Sequence, residues 1–444
     1  MSQPVLKIYS PQEAQKSILL RKSLEDTPVS PLVLERIEKM FSKPLTPSEV
    51  VDNIINDIRQ RGDLALLEWT RKLDCPGIQS MQIDPLSLKE SWDGLDDSLR
   101  QALSLSIERV RRFHQAQPVT SWITQSLGGT LGQLVRPIQR VGLYIPAGTA
   151  PLPSSVIMTA VPAQVAGVPE IVLVTPPQRE TGKVDPLILA VAHLLGIREI
   201  IPAGGAQAVA ALAYGTESIR PVDKIFGPGN LFVSIAKRKV FGRVGIDSIA
   251  GPTETLIIAD DSANPQWVAA DLLAQAEHDF LAAGILLSPS GELIKKVQAA
   301  VETQLADRQR KNVLNVSLAE NSGAVLTRDM DEAVLLANQY APEHLCLSVS
   351  DPWQLSTKIT AAGGIFVGDH SFEVLGDYLA GPSHVMPTGG TARFNSPLNV
   401  LDFIHIISLV ALDPVTTRQI APAAAQIAAA EGLDGHANAA KVRL

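Results

Sequence analysis

The fold class can be predicted from residues 171–226, IVLVTPPQRETGKVDPLILAVAHLLGIREIIPAGGAQAVAALAYGTESIRPVDKIF. Short β-branched runs such as 171–174 and 199–201 alternate in it with apolar helical runs at 185–195 and 206–214. Continuous apolar strands that alternate with helices are typical of a parallel sheet covered on both faces. The residues therefore predict an α/β unit.

The same alternation resumes further along the chain. Its strands are expected at 255–258, 284–287, 323–326 and 364–367. A helix is predicted from Pro265 to about Glu277, because Asn264 is a good cap and proline suits a first turn. Two α/β units therefore follow one another.

The segments outside these units have a different character. Residues 1–40 are polar and helical in pattern, and Thr46-Pro47-Ser48-Glu49 predicts a helix start with a capping box. The helical region continues to Phe113 and is interpreted as scaffold. After a Gly/Pro/Thr stretch at 381–397 comes an Ala- and His-rich tail, which is too small to be a domain alone and must dock on something.

Composition excludes several classes of protein. At 444 residues the chain is too long for one core, and 45% apolar with 19% charged residues excludes a disordered chain. The net charge of -8 gives no electrostatic support for nucleic-acid binding. With only Cys75 and Cys346, a disulfide framework, a thiolate zinc site and an iron–sulfur cluster are excluded.

The sequence also predicts a cytoplasmic protein. Its N-terminus has no charged segment followed by an apolar run of signal-peptide length. The longest apolar stretch, Leu187 to Ile197, is far shorter than the roughly 20 residues of a membrane span.

Three glycine-rich turns lie between expected strands and helices, at 146–149, 203–207 and 227–230. Glycines there let backbone N–H groups approach an anionic ligand at a helix start. None matches G-x-G-x-x-G, and tight connections explain any one of them equally well. Three in one α/β unit modestly favour a phosphate-bearing cofactor at the strand ends.

A possible metal site begins with Gln275 and His278, which a spacing of three puts on one helix face near its end. A lone histidine there more often complements the helix dipole. Acids and imidazoles in the C-terminal part of the chain add further donors: Asp377, His384, Glu431 and His436. Nitrogen and oxygen donors without thiolates suit zinc or a similar divalent ion in a functional site.

Glu343 and His344, in the run Tyr340-Ala-Pro-Glu-His, are candidate proton acceptors just before an apolar strand. Histidine accepts protons near neutral pH, and a partly desolvated glutamate can deprotonate water. The alternative is a structural Glu-His pair at a strand start, with both side chains hydrogen-bonded, which is commoner for an isolated Glu-His.

Other candidates are assigned to packing: Cys346, His114, His193 and His405. His370 is left undecided.

Together these segments resemble the histidinol dehydrogenase family, whose members oxidise L-histidinol to L-histidine through L-histidinaldehyde, the last step of histidine biosynthesis. The resemblance covers nearly the whole chain, and its most specific motifs are LLAQAEHD, NQYAPEHL, GDYLAGPSHVMPT and EGLDGHANA. It implies two incomplete Rossmann-like doubly wound α/β domains of aldehyde-dehydrogenase-like type, with a helical N-terminal segment and a small tail domain. The implied division is 1–40, 41–143 with 254–397 for the metal and catalytic residues, 144–253 for NAD, and 398–444 for the tail.

The resemblance also implies roles for individual residues. One zinc ion per subunit would be held by four ligands: Gln275, His278, Asp377 and His436. NAD would be bound by Tyr144, Gln207 and Asn230. His344 would accept the proton of the alcohol, and Glu343 would activate water on the aldehyde. The metal ligands and His344 would also contact the substrate, with three further residues: Thr253, His384 and Glu431.

A homodimer is implied as well, in which the tail crosses over so that Glu431 and His436 complete the partner's site. Two positions depart from the family pattern, Thr253 where serine is usual and Ala147 where many members have glycine. Three alternatives stay open: a zinc hydrolase that uses Glu343, a non-catalytic nucleotide-binding scaffold, and a paralogue acting on another small polyol or amino alcohol.

Overall fold

The computed structural model describes residues 5–21, 29, 31–147 and 151–444. Gly148 and Thr149 of the first glycine-rich turn lie outside the described residues. In the described part of the chain the strands are β1 Ile8–Tyr9, β2 Trp122–Thr124, β3 Thr130–Pro137, β4 Arg140–Tyr144, β5 Glu170–Thr175, β6 Glu199–Pro202, β7 Lys224–Phe226, β8 Gly245–Ile246, β9 Glu254–Ala259, β10 Ala283–Ser288, β11 Gly323–Leu326, β12 His344–Ser348, β13 Gly364–Val367 and β14 Ile404–Ala411.

The helices of the same ranges are α1 Pro11–Gln15, α2 Pro31–Phe41, α3 Pro47–Arg61, α4 Asp63–Leu73, α5 Pro85–Asp93, α6 Asp97–Gln115, α7 Pro153–Ala166, α8 Pro186–Leu194, α9 Gly205–Tyr214, α10 Leu231–Val240, α11 Pro265–Ala276, α12 Gly291–Leu305, α13 Lys311–Glu320, α14 Met330–Tyr340, α15 Pro352–Ser356, α16 Glu373–Tyr378, α17 Pro414–Ala430 and α18 Asp434–Lys441. Short 3-10 turns lie at Thr391–Arg393 and Val400–Phe403. None of the described helices has the length and apolar character needed to cross a membrane.

Two parallel sheets form the centre of the molecule and confirm the two predicted α/β units. One has the order β6-β5-β4-β7-β8, and the other the order β1-β11-β10-β9-β12-β13. In both, the first long strand of the unit is central and later strands add outward on both sides, which is the doubly wound arrangement. Every pairing within these two sheets is parallel.

The helices between residues 47 and 115 cover the five-stranded sheet. Ile54 and Leu66 share a core with Val209 of α9, and Val110 shares the core on the other face with Leu173 of β5. The expected division had grouped residues 41–143 with 254–397, so the packing differs from it. An amphipathic pattern reveals that a helix has an apolar face but not which sheet that face covers.

The N-terminal segment also differs from the helical interpretation. Residues 8 and 9 form β1, which pairs with β11 at the edge of the six-stranded sheet. Leu6 is fully buried in the core of that sheet with Leu286 of β10. The first residues of the chain therefore contribute a strand and core side chains as well as helix.

The tail docks through β14, which pairs with β3 along eight residues of a three-stranded antiparallel sheet. This sheet leaves large apolar side chains exposed, among them Trp122, Ile406 and Val410. Ile427 at the end of α17 is exposed as well. The small sheet and the tail therefore present an apolar surface that the other described residues do not cover.

The connection 247–253 brings two sheet edges towards each other. It leaves the carboxyl end of β8 in the five-stranded sheet and enters the amino end of β9 in the six-stranded sheet. The eight Cα steps from β8 to β9 span at most about 29 Å even when fully extended. The carboxyl edge of one sheet is thereby tethered to the amino edge of the other.

Candidate functional site

Glu343 and His344 lie at the amino edge of the six-stranded sheet, where β12 begins. Ala341 ends α14 in the left-handed region, at φ 49°, and turns the chain towards them. Both side chains are buried, with 7% and 3% of their surface exposed. The candidate pair is therefore shielded from bulk water.

The Glu343 carboxylate is held by the neighbouring strand β9 and the residue before it. Its Oε2 accepts hydrogen bonds from Thr253 Oγ1 at 2.6 Å and from the Glu254 N–H at 3.0 Å. Burial raises the pKa of Glu343 to about 7, although the His344 charge and both hydrogen bonds oppose the shift. A carboxyl of that pKa can exchange a proton near neutral pH.

His344 lies among three carboxylates. Its Nδ1 is 3.3 Å from the Glu254 carbonyl oxygen, and its Nε2 is 4.0 Å from Asp377 Oδ1. Burial disfavours the imidazolium, but the charges of Glu373, Glu343 and Asp377 outweigh it and raise the pKa of His344 to about 9. Nε2 is buried without a hydrogen-bond partner among the described residues. This atom is therefore suited to a further polar group.

Gln275 is fully buried on α11 and is linked to the same pair through Thr253. Its Nε2 donates to Thr253 Oγ1 at 2.9 Å, and that hydroxyl donates to Glu343. Its Oε1 lies 3.2 Å from Thr255 Oγ1. The hydroxyl of Thr253, which a serine would also supply, thus connects a predicted metal ligand to a predicted base.

Asp377 on α16 is surrounded by imidazoles. His384 Nδ1 is 3.0 Å from the Asp377 carbonyl oxygen and 4.0 Å from its Oδ1. Burial raises the pKa of Asp377, whereas the charges of His384, His344 and His278 oppose that shift. Burial also lowers the pKa of His384, which favours its neutral form. His278, by contrast, is exposed just beyond the end of α11.

Two acids of this region, the buried Glu373 and the half-buried Asp271, were missed in the sequence. Glu373 is 2% exposed, accepts a hydrogen bond from Thr255 Oγ1 and lies 3.8 Å from His344 Nδ1. Burial, together with the charges of Glu373 and Asp369, raises the pKa of Asp271 to about 7. Glu373 precedes Asp377 by four residues and Asp271 precedes Gln275 by four, so helical spacing was the available signal.

The donors fit a divalent ion only in part within one chain. Gln275, His278 and Asp377 offer amide oxygen, imidazole nitrogen and carboxylate oxygen, which are donors that zinc accepts. Among the described residues, no three His, Cys, Asp or Glu are grouped so as to hold a metal ion. His436 on α18 and Glu431 after α17 are exposed in the tail. The structure does not bring these two to the buried cluster of their own chain.

The residues predicted to bind a dinucleotide lie at the carboxyl edge of the five-stranded sheet. Tyr144 ends β4, Gln207 is in the first turn of α9, and Asn230 caps α10. This edge, where the strand order reverses between β4 and β7, is the usual ligand crevice of a doubly wound sheet. The Gln207 Oε1 atom is buried without a hydrogen-bond partner among the described residues, which fits a polar ligand.

In the two glycine-rich turns that the structure describes in full, 203–207 and 227–230, the glycine amides bond to the protein's own groups. The Gly204 N–H donates to Asp74 Oδ2 at 2.9 Å, and the Gly205 N–H donates to the Tyr144 hydroxyl at 3.0 Å. The Gly227 N–H donates to Asp247 Oδ2 at 2.7 Å. These three amides are therefore hydrogen-bonded within the chain, as tight connections would be, and a part of these turns in binding a cofactor stays a prediction. The spacing of glycines indicates where the backbone can form a tight turn. It does not indicate that a carboxylate from another segment will accept the hydrogen bonds of that turn.

The residues assigned to packing behave differently from one another. Cys346 and His114 are buried, as predicted, and His193 is half-buried. The prediction is wrong for His405, which is exposed on β14 because the small antiparallel sheet has no covering layer. His370 is also exposed, with its ring centroid 6.2 Å from that of Trp267.

Comparison with known proteins gives one consistent answer. Residues 40–444 match the model of the family described as histidinol dehydrogenase. A histidinol dehydrogenase of Deinococcus radiodurans is 52% identical, over 98% of this chain and 99% of the relative, and one of Thermus thermophilus is 48% identical, over 90% and 95%. The crystal structure of histidinol dehydrogenase from Elizabethkingia anophelis is similar with a TM-score of 0.90 and 35% identity, covering 100% of this chain and 99% of that one.

Proposed function

The chain belongs to the histidinol dehydrogenase family, and we propose that it oxidises L-histidinol to L-histidine through L-histidinaldehyde with two NAD and one zinc ion per subunit. It is thus an oxidoreductase of histidine biosynthesis that acts on histidinol. The observation that carries the detailed proposal is the buried pair Glu343 and His344, two proton acceptors with different environments at one edge of a sheet. Two successive oxidations of one carbon need a base for an alcohol and a base for water.

In the first oxidation, His344 accepts the hydroxyl proton of histidinol while a hydride leaves its carbon. In the second, Glu343 accepts a proton from the water that adds to the aldehyde, and a second hydride leaves the hydrate. Thr253 and the Glu254 N–H hold the Glu343 carboxylate for this step. The sum converts one alcohol and one water into one carboxylate, two hydrides and three protons.

Two groups complete the site. Tyr144, Gln207 and Asn230 would hold NAD, which would supply the acceptor for each hydride. Gln275, His278, Asp377 and the partner subunit's His436 would hold the zinc ion, which would supply a positive charge that orients the substrate's imidazole and amino groups and disfavours the imidazolium form of His344. His384 and the partner subunit's Glu431 contact the polar groups of the substrate. The cytoplasmic location stays a prediction.

The decisive experiment is to mix the zinc-loaded protein with L-histidinol and NAD and to count reduced cofactor per histidine formed. A ratio of about two is expected, because each NAD accepts one hydride. No reduced cofactor would contradict the proposal and favour the hydrolase alternative. A ratio of about one, with aldehyde as product, would contradict the second step only.

The roles of the two bases are tested by substitution. His344→Asn is expected to slow alcohol oxidation with zinc still bound, and Glu343→Gln to impair chiefly aldehyde oxidation. General-base contributions of this kind are typically about 10²–10⁴-fold in rate. Supplying histidinaldehyde directly separates the two steps, and unchanged turnover in both variants would contradict the assignment.

The metal ligands are tested by elemental analysis. His278→Ala and Asp377→Ala are expected to lower the zinc content of the purified protein. His370→Ala is the matched control, because that histidine is exposed outside the site. Full zinc in both ligand variants would refute the ligand set.

The shared site of a homodimer is supported by the exposed tail and its uncovered apolar surface. His278→Ala and His436→Ala should each be inactive. Mixing them under conditions of subunit exchange should restore activity, because one site of the hybrid then has every ligand. Deleting residues 431–444 should abolish activity but leave the α/β units folded. Absence of recovery in verified hybrids, or a fully active truncation, would contradict a tail that crosses over.

A further inference from the structure

Arg21 makes an unusual set of contacts with the loop that precedes Glu343. Its Nε donates to the Tyr340 carbonyl oxygen at 2.8 Å, and its Nη2 donates to the carbonyl oxygens of Ala341, at 3.1 Å, and of Tyr340. Its guanidinium carbon lies 3.4 Å from the centre of the Tyr340 ring. Arg21 thus engages two successive backbone carbonyls and a buried aromatic ring, although it precedes residues 40–444 that the family model matches.

The same guanidinium pairs with the strand on the other side of the site. Its Nη1 donates to the buried carboxylate of Glu254, whose other oxygen accepts the Gly389 N–H at 2.9 Å. The backbone of Glu254 contacts both candidate bases, through its N–H to Glu343 and its carbonyl oxygen to His344 Nδ1. Arg21 therefore connects the loop that delivers the pair to the strand that holds it.

The loop needs such an anchor because of its backbone conformation. Ala341 lies at φ 49°, a left-handed conformation that alanine adopts only when surrounding contacts impose it. Two residues later comes Glu343, so a change of conformation at Ala341 would redirect the carboxylate. The Arg21 contacts to the carbonyls of Tyr340 and Ala341 are among the contacts that fix this turn.

We infer that Arg21 is a positioning residue for Glu343 and His344, an inference that rests on the proposed function of that pair. Its planar fork of donors reaches the Tyr340 and Ala341 carbonyls and the Glu254 carboxylate at once. A lysine ammonium keeps the charge but not the fork. Arg21→Lys therefore tests whether the geometry of the guanidinium or only its positive charge is required.

The test compares Arg21→Lys, Arg21→Met and Arg21→Ala in the full-length, zinc-loaded enzyme. We expect kcat for both histidinol and histidinaldehyde to fall at least about 10-fold in each variant, the effect of misplacing catalytic groups. The KM for NAD and the zinc content should stay unchanged. Millimolar ethylguanidinium should restore part of the kcat of Arg21→Ala, whereas ethylammonium should not. Arg112→Met is the control, because Arg112 is 77% exposed and its ion pair among the described residues is with Glu108 on its own helix.

Three outcomes would overturn the inference: kcat within twofold of wild type in Arg21→Met, equal rescue by ammonium and guanidinium, or loss of activity that only parallels loss of zinc or folded protein. A wild type that reduces no NAD with histidinol would refute the proposed function instead. In that case the positioning role is tested without activity, by the rate of amide hydrogen exchange in the peptides around residues 340–348 and 254–259. This rate must increase in Arg21→Met but not in Arg112→Met.

Discussion

Replacing Asp74 by asparagine should change how the stability of the protein depends on pH. The Asp74 carboxyl is half-buried under the turn that starts α9, where its Oδ2 accepts the Gly204 N–H and the Gln207 Nε2. Burial raises its pKa from the ordinary 3.8 to about 6, and the two hydrogen bonds oppose that shift only in part. The charged form is therefore disfavoured in the folded protein.

The magnitude follows from the size of the shift. A difference of about two pKa units corresponds to about 3 kcal/mol, at about 1.4 kcal/mol per unit. The folded state holds the Asp74 proton more tightly than the unfolded state. Its stabilisation is therefore fully present below about pH 4 and is lost as the pH rises through about 6.

Asparagine removes the titration and keeps most of the hydrogen bonding. Its side-chain oxygen can still accept the Gly204 N–H. The same oxygen, placed where Asp74 Oδ2 lies, can also still accept the hydrogen bond from Gln207 Nε2. We expect the free energy of unfolding of the wild type, relative to Asp74→Asn, to fall by about 2 kcal/mol between about pH 4.5 and 7.5, which is the part of the full stabilisation that remains above pH 4.5. The variant should be the more stable protein at neutral pH.

The assay is urea unfolding of both proteins at matched concentration across that range, with the difference taken at each pH so that other titrating groups cancel. Asp96→Asn is the control: Asp96 is exposed, caps α6 and has its pKa lowered by hydrogen bonds from Ser98 and Leu99. A lowered pKa leaves both states ionised above about pH 5, so the control difference should be flat. A difference for Asp74→Asn that varies by less than about 0.5 kcal/mol, the usual scatter of surface substitutions, would refute the reasoning.

Two further predictions concern the turn after β7. Gly227→Ala should lower the melting temperature sharply, because Gly227 has φ 108° and a Cβ there would lie 2.1 Å from the Tyr144 carbonyl oxygen. Gly167→Ala is the control: Gly167 has φ 84° but open space around it, so this substitution should cost only about 1–2 kcal/mol. Equal losses of stability in the two variants would contradict the clash at Gly227. Lys237→Met should destabilise by about 3–5 kcal/mol, because it leaves the buried Asp247 carboxylate without its cation. Adding Asp247→Asn should recover part of that loss in denaturant unfolding, and a double variant no more stable than the single one would contradict the pairing.

Local structure was largely predictable because it depends on neighbours in sequence. Thr46 and Glu49 form the predicted capping box, and Asn264 caps α11 as expected. The strands at 323–326 and 364–367 have the predicted bounds. The strand at 323–326 is largely buried and the one at 364–367 is a partly exposed edge strand, but the length and apolar character of each run were sufficient to predict it.

The remaining features depend on segments that are distant in sequence. The strand β1 has two residues and exists only through its pairing with β11. Asp74 fills a turn that its own neighbourhood gives no reason to expect, and Arg21 contacts a loop 319 residues away. Glu431 and His436 show the same limit at the candidate site, because the proposed role of each requires a second chain.

The separation of Arg21 from its partners also orders events during synthesis. A ribosome adding about 5–20 residues per second needs about 15–65 s to proceed from Arg21 to Tyr340. All strands of the five-stranded sheet emerge in that interval, so this unit can fold while the first twenty residues of the nascent chain still lack their binding site. This order of emergence predicts that residues 5–21 are protease-sensitive on stalled ribosomes until β9 to β12 have emerged. It also predicts that the nascent chain becomes able to catalyse its reaction only at the end of synthesis.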